Sequence, residues 1–106
     1  MEVHRKGENS ALICAKGSVD LATSHLLKEK LQMLCEEGRI FVTLDFDRVN
    51  SIDSSGLGKL LLFHKKLKAC GGELRIVHIT SSHVRNIFDM IHLYKVIKIE
   101  NELEHN

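Results

Sequence analysis

The residues best suited to chemistry stand together in "DSSGLG", Asp53 to Gly58. An acid is followed at once by two hydroxyls, and two glycines then open the backbone. Three kinds of chemistry use such a set: a catalytic nucleophile, a phosphate cradle, or a hydroxyl presented to another protein. The nucleophile reading lacks support, because the run is not GxSxG and has no strand–elbow signature. The cradle reading lacks a Walker A match in this run. The seven histidines form neither HExxH nor a Cys/His zinc pattern, and His78, His83 and His92 fall on different elements, so no metal or cofactor is expected.

A presented hydroxyl needs an element that holds it at the surface. The run sits between a strand-like stretch and a helical pattern that starts near Ser54. A helix start carries unpartnered N–H groups and partial positive charge. Asp53 or Ser54 can cap those groups, and a phosphate on Ser54 would lie in a favourable field. The plainer alternative is an ordinary N-cap. The glycines argue for more, since each costs roughly 1 kcal/mol against alanine inside a helix. With Gly56 and Gly58 lacking side chains, the surface of the first turn is expected to be open to a partner's backbone.

On this helix Leu57, Leu60, Leu61, Phe63 and Leu67 share an arc that should face the core. His64 lies within that arc, as a packed or edge-buried histidine. Leu62 points nearly opposite, either as a lone surface leucine or as part of a docking patch beside Ser54.

The remaining elements follow from patterning. "ALICAKG" (Ala11 to Gly17) reads as a strand, with a short edge strand before it and "KGEN" as the turn. Val19 to Arg39 is helical, with Asp20 as N-cap and Gly38 as the stop. "IFVTLDF" (Ile40 to Phe46) shows little alternation, as expected of a central strand covered at least partly on both faces. A loop "DRVNSI" then leads to the helix from about Ser54 to Cys70. Glu73 to Ile79 is a strand. Ser81 to Leu93 is a helix with Val84, Ile87, Phe88 and Ile91 on one face. Lys95 to Ile99 is the last strand, and residues 101–106 are expected to fray. The order β-β-α-β-α-β-α-β predicts an α/β fold: one small domain over residues 1–106, with a mixed sheet and helices mainly on one face.

Composition narrows the partners. A net charge of +1 and 5% aromatics disfavour nucleic acid. Three isolated cysteines with no CxxC fit a reducing compartment. The polar start and the short apolar stretches predict a cytoplasmic chain without membrane insertion, a monomer or weak dimer.

The stretch "VTLDFDRVNSIDSSGLGKLL" resembles the signature of STAS domains, specifically the bacterial anti-sigma factor antagonists. The likeness covers nearly the whole chain. "GSVDLATSHLLKEKL" is similar to the family's glycine, acid and first helix. "GGELRIVHITSSHVRNIFDMIHLYKVIKI" is similar to its glycine turn, strand, "FD" helix and final strand.

The resemblance implies a regulator with no catalysis of its own. The serine after the aspartate, Ser54, would be phosphorylated by an anti-sigma factor with an ATP-binding serine kinase fold. The unphosphorylated form would bind that partner and free a sigma factor. Phosphorylation would release it, and a metal-dependent serine phosphatase would reset it. Asp20 matches a family acid near the phosphoserine. Asp53, Ser55, Gly56, Leu57, Gly58 and Leu62 would join Ser54 in the partner surface. Two positions depart from the pattern. Ser51 replaces a commonly apolar residue, which should loosen the loop, and His92 stands where glycine is common. Two other roles compete: a STAS subunit of a stress-signalling scaffold or lipid transporter complex, and a small hydrolase using Ser54 with a histidine.

Overall fold

The computed structural model describes residues 1–100. The expected frayed tail, 101–106, lies outside the described residues. Five strands and three helices alternate as β1 (Glu2–Lys6), β2 (Ser10–Val19), α1 (Leu21–Glu36), β3 (Phe41–Ile52), α2 (Ser54–Ala69), β4 (Glu73–Val77), α3 (Ser82–Met90) and β5 (Lys98–Glu100). A single 3-10 turn, Leu93–Lys95, precedes β5. The sheet order is β1-β2-β3-β4-β5. Only the β1–β2 hairpin is antiparallel; the other three pairings are parallel and are joined through helices. The predicted order and mixed sheet are therefore found.

Cross-strand register explains the core. Ile13, Leu44, Ile76 and Ile99 stand at one level across four strands, and Ala11, Val42 and Leu74 at the next. Their side chains share the face on which the helices pack. Leu27, Leu31 and Leu34 come from α1, Leu60, Phe63 and Leu67 from α2, and Val84 and Phe88 from α3. The Phe88 ring meets Phe46 of β3 at 6.1 Å between centroids, so α3 shares that face. The alternate residues Leu12, Cys14, Thr43, Asp45 and Arg75 lie on the other face, and all are half-buried.

Strand β3 departs from expectation. It alternates cleanly from Phe41 to Phe46, exposed or half-buried against buried, so it is covered by helices on one face only. It also continues through "DRVNSI", predicted to be a loop. Pairing with β2 slips between Cys14 and Lys16 and again between Gly17 and Ser18, so β3 carries two extra residues. Each slip resets the inward phase: Val49 and then Ile52 point in, three residues apart. Bulges of this kind bend and twist a strand, and they erase the period-two signal. Ser51, expected to loosen this segment, instead ties it down: its hydroxyl is 2.7 Å from that of Ser18 on β2.

Helix α1 begins after the predicted cap Asp20 and ends before Gly38, whose φ of +82° supplies the left-handed stop. Helix α3 ends at Met90, three residues before the predicted Leu93. Ile91 lies outside it and is 47% exposed, while Leu93 turns inward from the 3-10 turn.

Candidate functional site

Two helices start side by side at one edge of the sheet. Val19 pairs with Ile52 as the last residues of β2 and β3, and the next residue on each strand is an aspartate. Asp20 caps α1: its Oδ1 accepts the Thr23 N–H at 3.0 Å. Asp53 caps α2: its Oδ1 accepts the Gly56 N–H at 2.8 Å. The two caps are linked, since the Asp53 N–H donates to the Val19 carbonyl at 3.3 Å. Of the two capping options for α2, the structure uses Asp53 and leaves Ser54 uncommitted to that role. Two positive helix ends therefore converge beside two carboxylates. The Thr23 backbone N–H, donated to Oδ1, holds the Asp20 carboxyl below its usual range.

The end of β3 is held from both sides. On the β2 side the Ser51 hydroxyl meets that of Ser18 at 2.7 Å, and Ser18 is held in turn by α1, its carbonyl accepting the Thr23 hydroxyl at 2.8 Å. On the other side, the Thr80 hydroxyl reaches the Asp47 carbonyl at 2.8 Å and the Ser81 hydroxyl reaches that of Asn50 at 3.1 Å. The irregular half of the strand is thereby pinned to both neighbours, and the start of α2 with it.

Ser54 and Ser55 are exposed on the first turn of α2, and Gly58 is exposed above them. Leu57 is half-buried against the core. Leu62 is 38% exposed and faces outward as predicted. Two expectations fail. Gly56 is buried, not part of an open surface. A Cβ there would lie 2.2 Å from the Val19 carbonyl oxygen and 2.9 Å from Val19 Cγ1. Its role is to let α2 seat against β2. Leu61, expected in the core, is 40% exposed. The inward face is Gly56, Leu60, Phe63 and Leu67, so counting Gly56 as inward rotates the wheel and turns Leu61 out. Residues Ser54, Gly58, Leu61 and Lys65 form a strip opposite the core face, with Leu62 beside it. Leu21, exposed at the start of α1, adds an apolar side chain near that edge. The sequence signal missed for Leu61 was the inward position of Gly56 on the same helix.

Little in this geometry suits hydrolysis. The Asp53 carboxylate is occupied by a backbone N–H, not by an imidazole. Burial pushes the Cys14 and Cys35 thiols up, so neither is activated as a nucleophile. His64 is half-buried, as expected, and its Nδ1 has no hydrogen-bond partner among the described residues. No helix among the described residues is long and apolar enough to cross a membrane.

Comparison with known proteins places this arrangement in context. BtrV of Bordetella bronchiseptica is 29% identical over 99 residues, spanning 93% of this chain and 84% of that protein. The anti-sigma-B factor antagonist of Bacillus subtilis is 29% identical over 100 residues, spanning 94% and 90%. The solved structure of the Bacillus cell fate determinant SpoIIAA in its phosphorylated form superposes with a TM-score of 0.72 at 21% identity, covering 98% of this chain and 94% of that one. The STAS domain family model matches residues 2–106, and the chain belongs to the STAS domain family.

Proposed function

We propose that this chain is an anti-sigma factor antagonist switched by phosphorylation of Ser54. The unmodified form docks the start of α2 onto an anti-sigma factor with an ATP-binding serine kinase fold, and a sigma factor is freed. Asp20, Asp53, Ser54, Ser55, Leu57, Gly58 and Leu62 provide the contact. Gly56 acts beneath that surface by setting the helix close to β2. Phosphorylation of Ser54 releases the partner, a metal-dependent serine phosphatase resets the switch, and both steps occur in the cytoplasm. The antagonist name of the Bacillus subtilis relative supports the class.

The observation that carries the reading is the exposed Ser54 hydroxyl on the first residue of α2, beside two capping carboxylates. A phosphoserine brings about −1.5 to −2 charges at pH 7. The helix end favours that charge by roughly 0.3–1 kcal/mol, so the fold tolerates it. A partner closed over the site would have to desolvate the phosphate beside Asp20 and Asp53, at a cost of several kcal/mol. Release therefore comes from the interface and not from refolding.

The test is a pull-down from the native host, with and without ATP, followed by mass spectrometry. The expected result is a kinase-fold partner and phosphate on Ser54, with Ser55 unmodified. Ser54→Ala should hold the partner persistently. Ser54→Asp should bind weakly with a native circular dichroism spectrum. Phosphate on Ser55, equal binding by both variants, or co-purification with a transporter ATPase in place of a kinase would overturn the proposal.

A further inference from the structure

The open face of the sheet carries a second constellation, away from the helix starts. In the β1–β2 hairpin Glu2 pairs with Cys14, and His4 pairs with Leu12. Period-two alternation puts Glu2 and His4 on the same face of β1. Pairing puts Cys14 on that face too, opposite the buried Ala15 and Ile13. One carboxylate oxygen, one imidazole nitrogen and the thiol sulfur all lie within 4.8 Å of one another. Among the described residues no other group of three such side chains is so close.

Geometry and donor type both bear on what this cluster holds. In a tetrahedral zinc site, bonds of about 2.0–2.3 Å separate the ligand atoms by roughly 3.3–3.8 Å. Glu2 and His4 are exposed and Cys14 is half-buried. Rotation of the two exposed side chains can close the remaining gap around a fixed sulfur. A thiolate and an imidazole select a borderline or soft cation over Mg2+ or Ca2+. Beyond Cys14, its β3 neighbour Asp45 adds negative charge. Asp45 is engaged already: Oδ1 accepts the Asp47 N–H at 2.9 Å, and Oδ2 lies 3.3 Å from His78 Nδ1. It therefore acts from outside the ligand set. Arg48 lines the same small depression, of about 190 Å3, and offsets part of that charge.

We propose that Glu2, His4 and Cys14 form a surface site for a divalent cation of borderline softness, with Zn2+ held by carboxylate, imidazole and thiolate and the fourth position left to water. Motif spacing hides such a site. Its ligands come from two strands of a hairpin, and only the register brings Cys14 to Glu2. The bound ion would clamp edge strand β1 to β2.

The test uses the full, reduced chain titrated with Zn2+ against a chromophoric chelator, and with Co2+ as the spectroscopic substitute. The expected result is one equivalent bound, with a thiolate-to-cobalt charge-transfer band. Cys14→Ser should abolish the band, while Cys35→Ser and Cys70→Ser keep it. Glu2→Gln and His4→Gln should weaken binding by at least the roughly 10–100-fold that loss of an outer-shell partner costs. Zn2+ should raise the Tm of the parent chain and leave that of Cys14→Ser unchanged. No stoichiometric uptake by the parent chain, a band that survives Cys14→Ser, or Glu2→Gln and His4→Gln affinities equal to the parent's would overturn the site.

Discussion

Two glycines in one turn of α2 act in opposite directions. Gly56 lies where a Cβ would collide with the Val19 carbonyl, whereas nothing stands within 4 Å of a Cβ at Gly58. Gly56→Ala should therefore destabilise the fold by about 1–3 kcal/mol through overpacking. Gly58→Ala should stabilise it by about 0.5–1 kcal/mol, the helix-interior cost of glycine. Urea unfolding of both variants checks the pair, and equal signs would refute this division. If the exposed turn is the docking surface, the more stable Gly58→Ala should nonetheless bind its partner less well. A third backbone position follows the same logic. His92 has φ +54° and ψ +44°, a left-handed conformation that costs an L-residue roughly 1–2 kcal/mol. His92→Gly should raise stability by about 1 kcal/mol in the same assay. The departure at His92 was legible only through the family resemblance, and the structure supplies the dihedral that makes it costly. What Gly56 does was not readable, because a glycine leaves no hydropathy signal for the face it occupies.

At the scale of elements, helix existence and caps were legible, since Asp20, Asp53 and Gly38 punctuate in the way their chemistry dictates. Strand β3 was legible only as far as Phe46. Beyond it two bulges break the alternation, so a continuous strand looked like a loop. Helix α2 offers a separation of binding from stability. Leu62→Asp should weaken partner binding while Tm stays nearly unchanged, and Leu61→Asp should behave alike now that Leu61 faces water. A large fall in Tm for Leu62→Asp, read by thermal scanning, would return it to the core. Strand β1 and helix α1 are joined by charge. Arg5 makes two contacts of 2.7 Å to the Glu37 carboxylate, and Arg39 adds one of 3.0 Å. The Arg5 hydrogen bond, with Arg39 behind it, lowers the Glu37 carboxyl from 4.5 to about 2. Because the folded value is depressed, this stabilisation is fully present above the unfolded value of 4.5 and is lost as pH falls through about 2. Glu37→Gln should therefore flatten the acid limb of stability between those values. The effect should shrink at high salt, because the pair is exposed. A parallel pH series of chemical denaturation on both proteins reads it.

Across the whole molecule, the order of elements, the mixed sheet and the packing of helices mainly on one face were legible, although β3 was read as partly covered on both, because alternating strands and helices with short connections leave few ways to build a layered sheet. The meeting of the two helix starts was less so. It depends on Val19 pairing with Ile52, and that register exists only because β3 carries two extra residues. Asp20 and Asp53 lie thirty-three positions apart in the chain, and bulges no hydropathy profile displays bring them to equivalent places.

The strands lie across the sheet in the order in which they occur along the chain. No strand must be inserted between two that have already paired. As the polypeptide leaves the ribosome, the β1–β2 hairpin can form first, and each crossover then adds one strand to a free edge. The start of α2 is placed once β3 has docked, and Thr80 and Ser81 pin it after β4 has followed. Growth from one edge keeps the loop closed at each step short. Apart from the outer side of β1, it also leaves only the advancing strand unpaired during synthesis, where a chain of interleaved topology would hold several open at once to sticky neighbours.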